Sequence, residues 1–272
     1  MTHITEQQSA AVSNRRLLAH TAYADERHLA ARQSLYRWQR PQYDLPEIVV
    51  GELAYVKGTV LDIGCGNGTF VNRMRADRRD LRVVGIDISA GILAHVEKPA
   101  FVADAHALPF ADGTADAVLA LHMLYHMADI PAAVREMARV LRSSGLAVAS
   151  TNSENDKREL DQLWQRAAAD VLGIPEGPSR LSLSSRFSLE KAPAFLGAEF
   201  SDIRVRELPG TVEVTDPAPV VAHLASYEAW SEQCGVPFRE TVARAHQLVS
   251  ATIASEGSFT ITCLGGFLIC RA

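Results

Sequence analysis

Three things are scarce in this chain, and each scarcity removes a class of function. The first is positive charge in runs. Lys and Arg number 27 against 32 Asp and Glu, for a net charge of −5, and no extended basic stretch exists. That disfavours a dedicated nucleic-acid binder, which needs a basic stripe, although mild acidity also serves solubility alone. The second is cysteine. Cys65, Cys234, Cys263 and Cys270 are scattered and form no C-x-x-C pair, so neither a zinc site nor a disulfide framework is indicated and no metal is expected. The third is a long apolar run. None reaches ~18 residues, and residues 1–8 lack the apolar segment of a secretory signal. The expectation is a cytoplasmic protein with no membrane partner.

What is present is an ordinary globular composition, 47% hydrophobic and 22% charged. At 272 residues, the chain suffices for one large domain or a domain with a substantial insertion. Its most informative stretch is Val60-Leu61-Asp62-Ile63-Gly64-Cys65-Gly66-Asn67-Gly68, an apolar strand running into an acidic, glycine-spaced turn. Glycines tolerate positive φ and let a ligand approach the main chain closely. The residues after it open a helix with Phe70, Val71 and Met74 on one face, which completes the first half of a nucleotide-type βαβ unit. The dinucleotide fingerprint G-x-G-x-x-G would need a third glycine at position 69, which is Thr69. Cys65 sits inside the turn, where a small side chain is needed more than a thiol.

Further acids follow at strand ends. Leu81-Arg82-Val83-Val84-Gly85-Ile86-Asp87 is a second strand ending in an acid able to accept hydrogen bonds from ribose hydroxyls. Ala100-Phe101-Val102-Ala103 ends at Asp104, and residues 115–121 form a fourth strand entering His122-Met123-Leu124-Tyr125-His126. Each Asp alone reads equally well as a cap or turn residue. Three strand ends carrying Asp62, Asp87 and Asp104 in order are much harder to obtain by chance.

On these residues the chain resembles the class I S-adenosylmethionine-dependent methyltransferases, specifically over about residues 56–151. The G-x-G-x-G turn preceded by Asp62 matches their first motif. The resemblance implies an α/β fold, a Rossmann-like three-layer sandwich with a mostly parallel seven-stranded sheet, an antiparallel last strand and an N-terminal helical lid. It implies a lid over 1–55 and a methyltransferase domain over 56–272, with substrate-side insertions near 152–187 and 215–256. The cofactor would be S-adenosyl-L-methionine, held by Asp62, Gly64, Cys65, Gly66, Gly68, Asp87, Ile88, Asp104, Ala105 and Leu121. Two departures, Ala115 for a common aromatic and Ser143-Ser144-Gly145 for a common Pro-Gly turn, bear on subfamily rather than activity.

The acceptor's proton needs a base from just past the fourth strand or from the lid, because both face the carboxyl ends of the strands. His126, His122 and Tyr125 are the candidates, with His126 preferred, since histidine titrates near neutrality. Their alternative is structural, as hydrogen-bonded or packed residues beside the cofactor. Tyr23, Tyr36, Trp38 and Tyr43 are candidate pocket aromatics, and Arg37 and Arg40 candidate partners of the cofactor carboxylate. Leu29, Gln33 and Tyr36 fall on one helical face, and Pro41 and Pro46 read as the end of that helical stretch. Arg135, Arg139 and Arg142 read as the solvated side of a helix opened by Asp129 and Pro131. The expected activity is methyl transfer to O, N or C of a small molecule. Beside it stand a non-catalytic protein of the same fold (a partner subunit or cofactor sensor) and an RNA methyltransferase. A homodimer is left open.

Overall fold

The computed structural model describes residues 5–272. Residues 1–4, part of the segment read above for a signal and of the expected lid, lie outside the described residues. The helices are α1 (Glu6–Val12), α2 (Arg15–Leu17), α3 (Arg27–Ser34), α4 (Leu45–Glu52), α5 (Thr69–Asp77), α6 (Ile130–Val140), α7 (Arg158–Leu172), α8 (Ala192–Leu196), α9 (Ala218–Ala225) and α10 (Phe238–Glu256). The strands are β1 (Gln39–Arg40), β2 (Gly58–Ile63), β3 (Leu81–Asp87), β4 (Ala100–Val102), β5 (Ala115–Leu121), β6 (Leu141–Asn152), β7 (Asp202–Val214) and β8 (Phe259–Arg271).

These strands make one sheet in the order β1-β7-β8-β6-β5-β2-β3-β4. The pairs β2–β3, β2–β5, β3–β4 and β5–β6 are parallel, while β8 runs antiparallel between β6 and β7. The expected Rossmann-like sheet with an antiparallel last strand is present, with eight strands rather than seven. The additional strand is β1, whose two residues pair with Val212 and Thr211 of β7. So short a strand leaves no period-2 pattern to read. Residues 211–214, for which the sequence allowed either a return strand or a continuation, continue β7.

The central strands alternate between two apolar cores, as strands covered on both faces must. Leu61, Ile63, Val84, Ile86 and Val118 face one core, with Val134 and Met137 of α6 and Leu160, Trp164 and Ala167 of α7. Val60, Val83, Leu119 and Leu121 face the other, with Val71 and Met74 of α5. Helix α6 shows why such a layer forms. Asp129 caps it by accepting from Ala132 N at 2.9 Å, Pro131 lies in its first turn, and five of its residues are buried on one stripe.

Two sequence expectations are corrected here. Pro46 begins a helix instead of ending one. Asp44 caps α4 by accepting from Glu47 N, and Val49 and Leu53 are buried in the core shared with Met74. Proline suits a helix's first turn because its missing N–H would have no partner there. Arg139 is not a solvated residue either. It holds Glu136 at 2.7 Å and Asp112 at 2.8 Å, and donates to the carbonyls of Phe110 and Leu108 at 2.8 and 3.1 Å. The loop from Asp104 to Gly113 is thereby tied to α6.

Truncating Leu119, which is fully buried at the sheet centre, should cost about 2–5 kcal/mol in denaturant unfolding. Val205→Ala on the exposed face of β7, 40% accessible, should stay within ~0.5 kcal/mol. Similar losses for the two would contradict the assignment of core and surface.

Candidate active site

The chain runs β2, β3, β4 toward one edge of the sheet and then returns to β5 on the other side of β2. Ligands bind such sheets outside the carboxyl ends of the strands at that reversal. A cavity of about 810 Å³ opens there, toward the upper end of the ~300–1,000 Å³ range for small-molecule sites. Nine of the ten expected cofactor positions line it. The exception is Gly68, which starts α5 with φ +77° instead. Gly64 has φ +69°, and a Cβ there would stand 2.7 Å from Met123 Cβ, so the turn requires glycine. Cys65 contributes only backbone chemistry, because burial pushes its thiol up and leaves it an inert neutral group.

The three strand-end acids differ. Asp87 accepts from Gly66 N and Ser89 N, both at 2.9 Å, through different oxygens, which fixes its carboxylate toward the cavity. Asp104 takes His106 Nδ1 at 2.8 Å and Arg15 Nη2 at 2.9 Å. Partial burial acts to raise it, but the His106 donors and the nearby charges outweigh that and hold it below the usual range. Asp62 is 1% exposed, and neither of its oxygens meets a donor among the described residues. Burial, then the charge on Asp87, pushes its carboxyl up to about 8. A buried acceptor pair with no donor is a costly feature unless a ligand supplies one.

The three catalytic candidates separate just as clearly. His126 Nδ1 lies 2.9 Å from the Val12 carbonyl and its Nε2 2.8 Å from the Tyr23 hydroxyl. A carbonyl only accepts, so Nδ1 carries the hydrogen and Nε2 accepts from Tyr23. Trp230 stacks on the ring with an interplanar angle of 7°. With both nitrogens committed and burial holding it neutral down to about pH 3, His126 is an anchor for the N-terminal segment. The preference for it as base is corrected. His122 lines the cavity with φ +54°, and its backbone N–H is held by Ser150 O and Oγ, both at 3.1 Å. Burial, then Lys157, lowers its pKa to about 4. Its ring makes no hydrogen bond to the described residues, so it faces the cavity free. Tyr125 lines the cavity, and burial raises its phenol well above the usual value.

Of the aromatics, Tyr23, Tyr36 and Tyr43 line the cavity, while Trp38 is 40% exposed and does not. Arg37 and Arg40 stay outside it as well. Three cations that sequence reasoning passed over are there instead: Arg32, Lys157 and Arg180. Lys157, at φ +60°, donates to Tyr36 Oη at 2.6 Å and pairs with Asp156. Burial acts against its charge, but Asp156 and then Tyr36 outweigh that and raise its pKa. Arg180 Nε holds Asp161 at 2.9 Å. Arg32 gives Nη1 to Ser226 O at 3.1 Å and lies 5.2–6.0 Å from the rings of Tyr23, Tyr227 and Trp230, with no carboxylate partner among the described residues. Cation–π attraction supplies roughly 2 kcal/mol at such a dry site, short of the several kcal/mol that burying an ion costs. Position 32 continues the Leu29–Gln33–Tyr36 stripe at i+3, and an arginine on an apolar stripe was the signal available for it. Lys157 and Arg180 had none.

An acid whose pKa rises on folding keeps a proton that the unfolded chain has lost. Its stabilising contribution is therefore complete below about pH 4 and disappears as pH climbs through 8. Asp62→Asn has no charge to bury, so without ligand it should gain stability relative to the wild type from pH 4 to 8. Paired melting curves across that range check this. Parallel curves would show Asp62 to be stabilised by something else.

The Methyltransferase domain family model matches residues 61–149, the span that holds all three acids and the glycine turn. Malonyl-[acyl-carrier protein] O-methyltransferase of Erwinia pyrifoliae is 33% identical over 112 residues, 39% of this chain and 42% of that protein. The 27-O-demethylrifamycin SV methyltransferase of Amycolatopsis mediterranei is 40% identical over 97 residues, 32% of this chain and 35% of that protein. The aligned segments thus span about two-fifths of these relatives' lengths. Haemonchus contortus phosphoethanolamine N-methyltransferase 2, solved with S-adenosyl-L-methionine, shares the fold with a TM-score of 0.55 at 15% identity, covering 94% of this chain and 59% of that one. With the glycine turn and strand-end acids inside it, the matched segment 61–149 is similar to the methyltransferase domain of the class I, S-adenosylmethionine-dependent kind.

Proposed function

We propose that the protein methylates an O, N or C nucleophile of a small-molecule acceptor, with S-adenosyl-L-methionine as donor. The observation that carries this is the donorless carboxylate of Asp62 beneath the Gly64–Gly66 turn. When bound, the cofactor supplies a methyl group already activated by a sulfonium charge. Asp62 receives the cationic amino group, which restores its own ionised form. Asp87, oriented by Gly66 N and Ser89 N, accepts from the ribose hydroxyls. Asp104 and Ala105 border the adenine, with Ile88 and Leu121 as apolar walls. The relatives named for O-methylation favour oxygen as the acceptor atom.

His122 takes the acceptor's proton. It is neutral above about pH 4 and has no protein partner to displace. Tyr125 shapes the same wall. Residues 5–44 act as the lid. Ser89 Oγ reaches the carbonyls of Ala19 and Tyr23 at 3.1 and 2.8 Å, and the Leu29 side chain closes to 3.3 Å from where a Gly66 Cβ would stand. The lid ends before α4, which packs with the sheet. The segments from 152 to 187 and 215 to 256 supply the acceptor walls through Lys157, Arg180, His223 and Tyr227. Excluding water there strengthens every charge interaction inside.

Calorimetric titration should show S-adenosylhomocysteine binding and NAD not binding. Asp87→Ala should weaken the former by ~10–100-fold, the scale of charge-assisted hydrogen bonds. Unaltered affinity in that variant would sink the cofactor assignment. His122→Gln should lower kcat by ~10²–10⁴-fold while leaving S-adenosylhomocysteine affinity within a few-fold. An unchanged kcat would remove His122 as the base, and cofactor binding without turnover over a broad acceptor panel would favour a sensor or silent subunit.

A further inference from the structure

Beside the strand-end acids, the cavity lining carries cationic and polar atoms that the described protein satisfies poorly. Arg32 Nη2 and Arg180 Nη1 are buried without a well-formed hydrogen bond to the described residues, although the Tyr23 and Tyr227 hydroxyls lie close to the two guanidiniums, and the His223 ring is turned toward the Arg32 main chain. Their residues are 8%, 7% and 3% exposed, and all three line the cavity. They also share one aromatic neighbour. The guanidinium carbons of Arg32 and Arg180 lie 5.7 and 5.3 Å from the Tyr227 ring centroid, and the His223 ring lies 5.7 Å from the Tyr227 ring. Lys157 and Arg180 each have a carboxylate, Asp156 and Asp161, whereas Arg32 has none. The wall therefore holds one positive charge in excess and two N–H groups without a well-formed hydrogen bond.

We infer that this wall is the recognition site for an anionic group of the acceptor, a carboxylate or a phosphate, seated on Arg32 and Arg180. The inference rests on the methyl-transfer reading of the same cavity. A planar guanidinium with a free N–H matches such an anion better than any neutral group. The three rings around Arg32 hold the side chain in place and exclude water, and the Tyr23 hydroxyl beside it brings no negative charge to balance the guanidinium. His223 is neutral, because burial, then the Lys157, Arg180 and Arg32 charges, keep it well below the usual range. It therefore adds no charge to the wall. Asp62 and Asp87 line the same cavity, so charge repulsion disfavours the anion at the cofactor end and the acceptor enters in one orientation. Neutral molecules of the same shape would leave the Arg32 charge buried and unpaired, which is how the wall discriminates against them.

The test uses isosteric probes on the whole protein saturated with S-adenosylhomocysteine. Benzoate is compared with benzamide, and phenyl phosphate with phenol, by calorimetry and thermal shift. The expected result is at least ~10-fold tighter binding of one anion over its neutral partner, the scale of a charge-assisted hydrogen bond. Which anion prevails tells carboxylate from phosphate. Arg32→Gln should erase that preference, and Arg32→Lys should keep part of it. Equal binding of each anion and its neutral partner, no binding by either anion, or a preference that survives Arg32→Gln would overturn the proposal. The wild-type comparison decides the matter even if the variants fail to fold. Loss of the S-adenosylhomocysteine response with the anion preference intact would instead overturn the cofactor reading and leave the anion site standing.

Discussion

An ionisable group buried without a partner is the constraint around which this molecule is arranged. Asp62 sits at the end of the central strand β2, flanked by β3 and β5 in the sheet, where both faces are covered. The sheet places the carboxyl there because β2 must stop where the Gly64 turn begins, and that turn needs its positive φ to pass under Met123. Stability and binding are thus opposed at one residue. A carboxyl buried without a donor costs the fold, and the same group would gain from any cationic ligand that reached it.

The same opposition recurs at Arg32 with reversed sign. Asp62, Asp87 and Asp104 come from the strand ends, whereas Arg32 comes from α3 and Lys157 and Arg180 from the chain after β6, so the cavity draws these opposite charges from different parts of the fold. Backbone strain follows the same geography. His122 and Lys157 are the non-glycine residues with left-handed φ among the described residues, and both border the cavity. Such conformations persist where surrounding contacts over-determine them, here Ser150 beneath His122 and the Asp156–Tyr36 pair around Lys157.

How much of this was legible in the sequence depended on range. Residues 56–151 declared themselves because their logic is local: an apolar strand, a glycine turn and an acid recur within a single βαβ period, and Asp129 with Pro131 marks the next helix. The acceptor wall was opaque for the opposite reason. Arg32, Lys157, Arg180 and His223 come from four separate segments, and no spacing along the chain encodes the meeting of Arg32, Arg180 and His223 around Tyr227 or of Lys157 with Tyr36. His126 misled because an edge histidine looks available until the fold supplies the Val12 carbonyl and the Tyr23 hydroxyl, both from the N-terminal segment. Pro46 misled because one residue type both begins helices and ends them, and only Asp44 before it told which.

Arg139 carries a last consequence. By gripping Glu136, Asp112 and two carbonyls of the 104–113 loop, it removes the conformational freedom of the wall beside Asp104 before any ligand arrives. The N-terminal segment is held differently, by single bonds to several elements through His126, Ser89 and Ser226. A wall braced in advance adds no ordering cost of its own when a ligand meets it, so affinity beside Asp104 would reflect contacts alone.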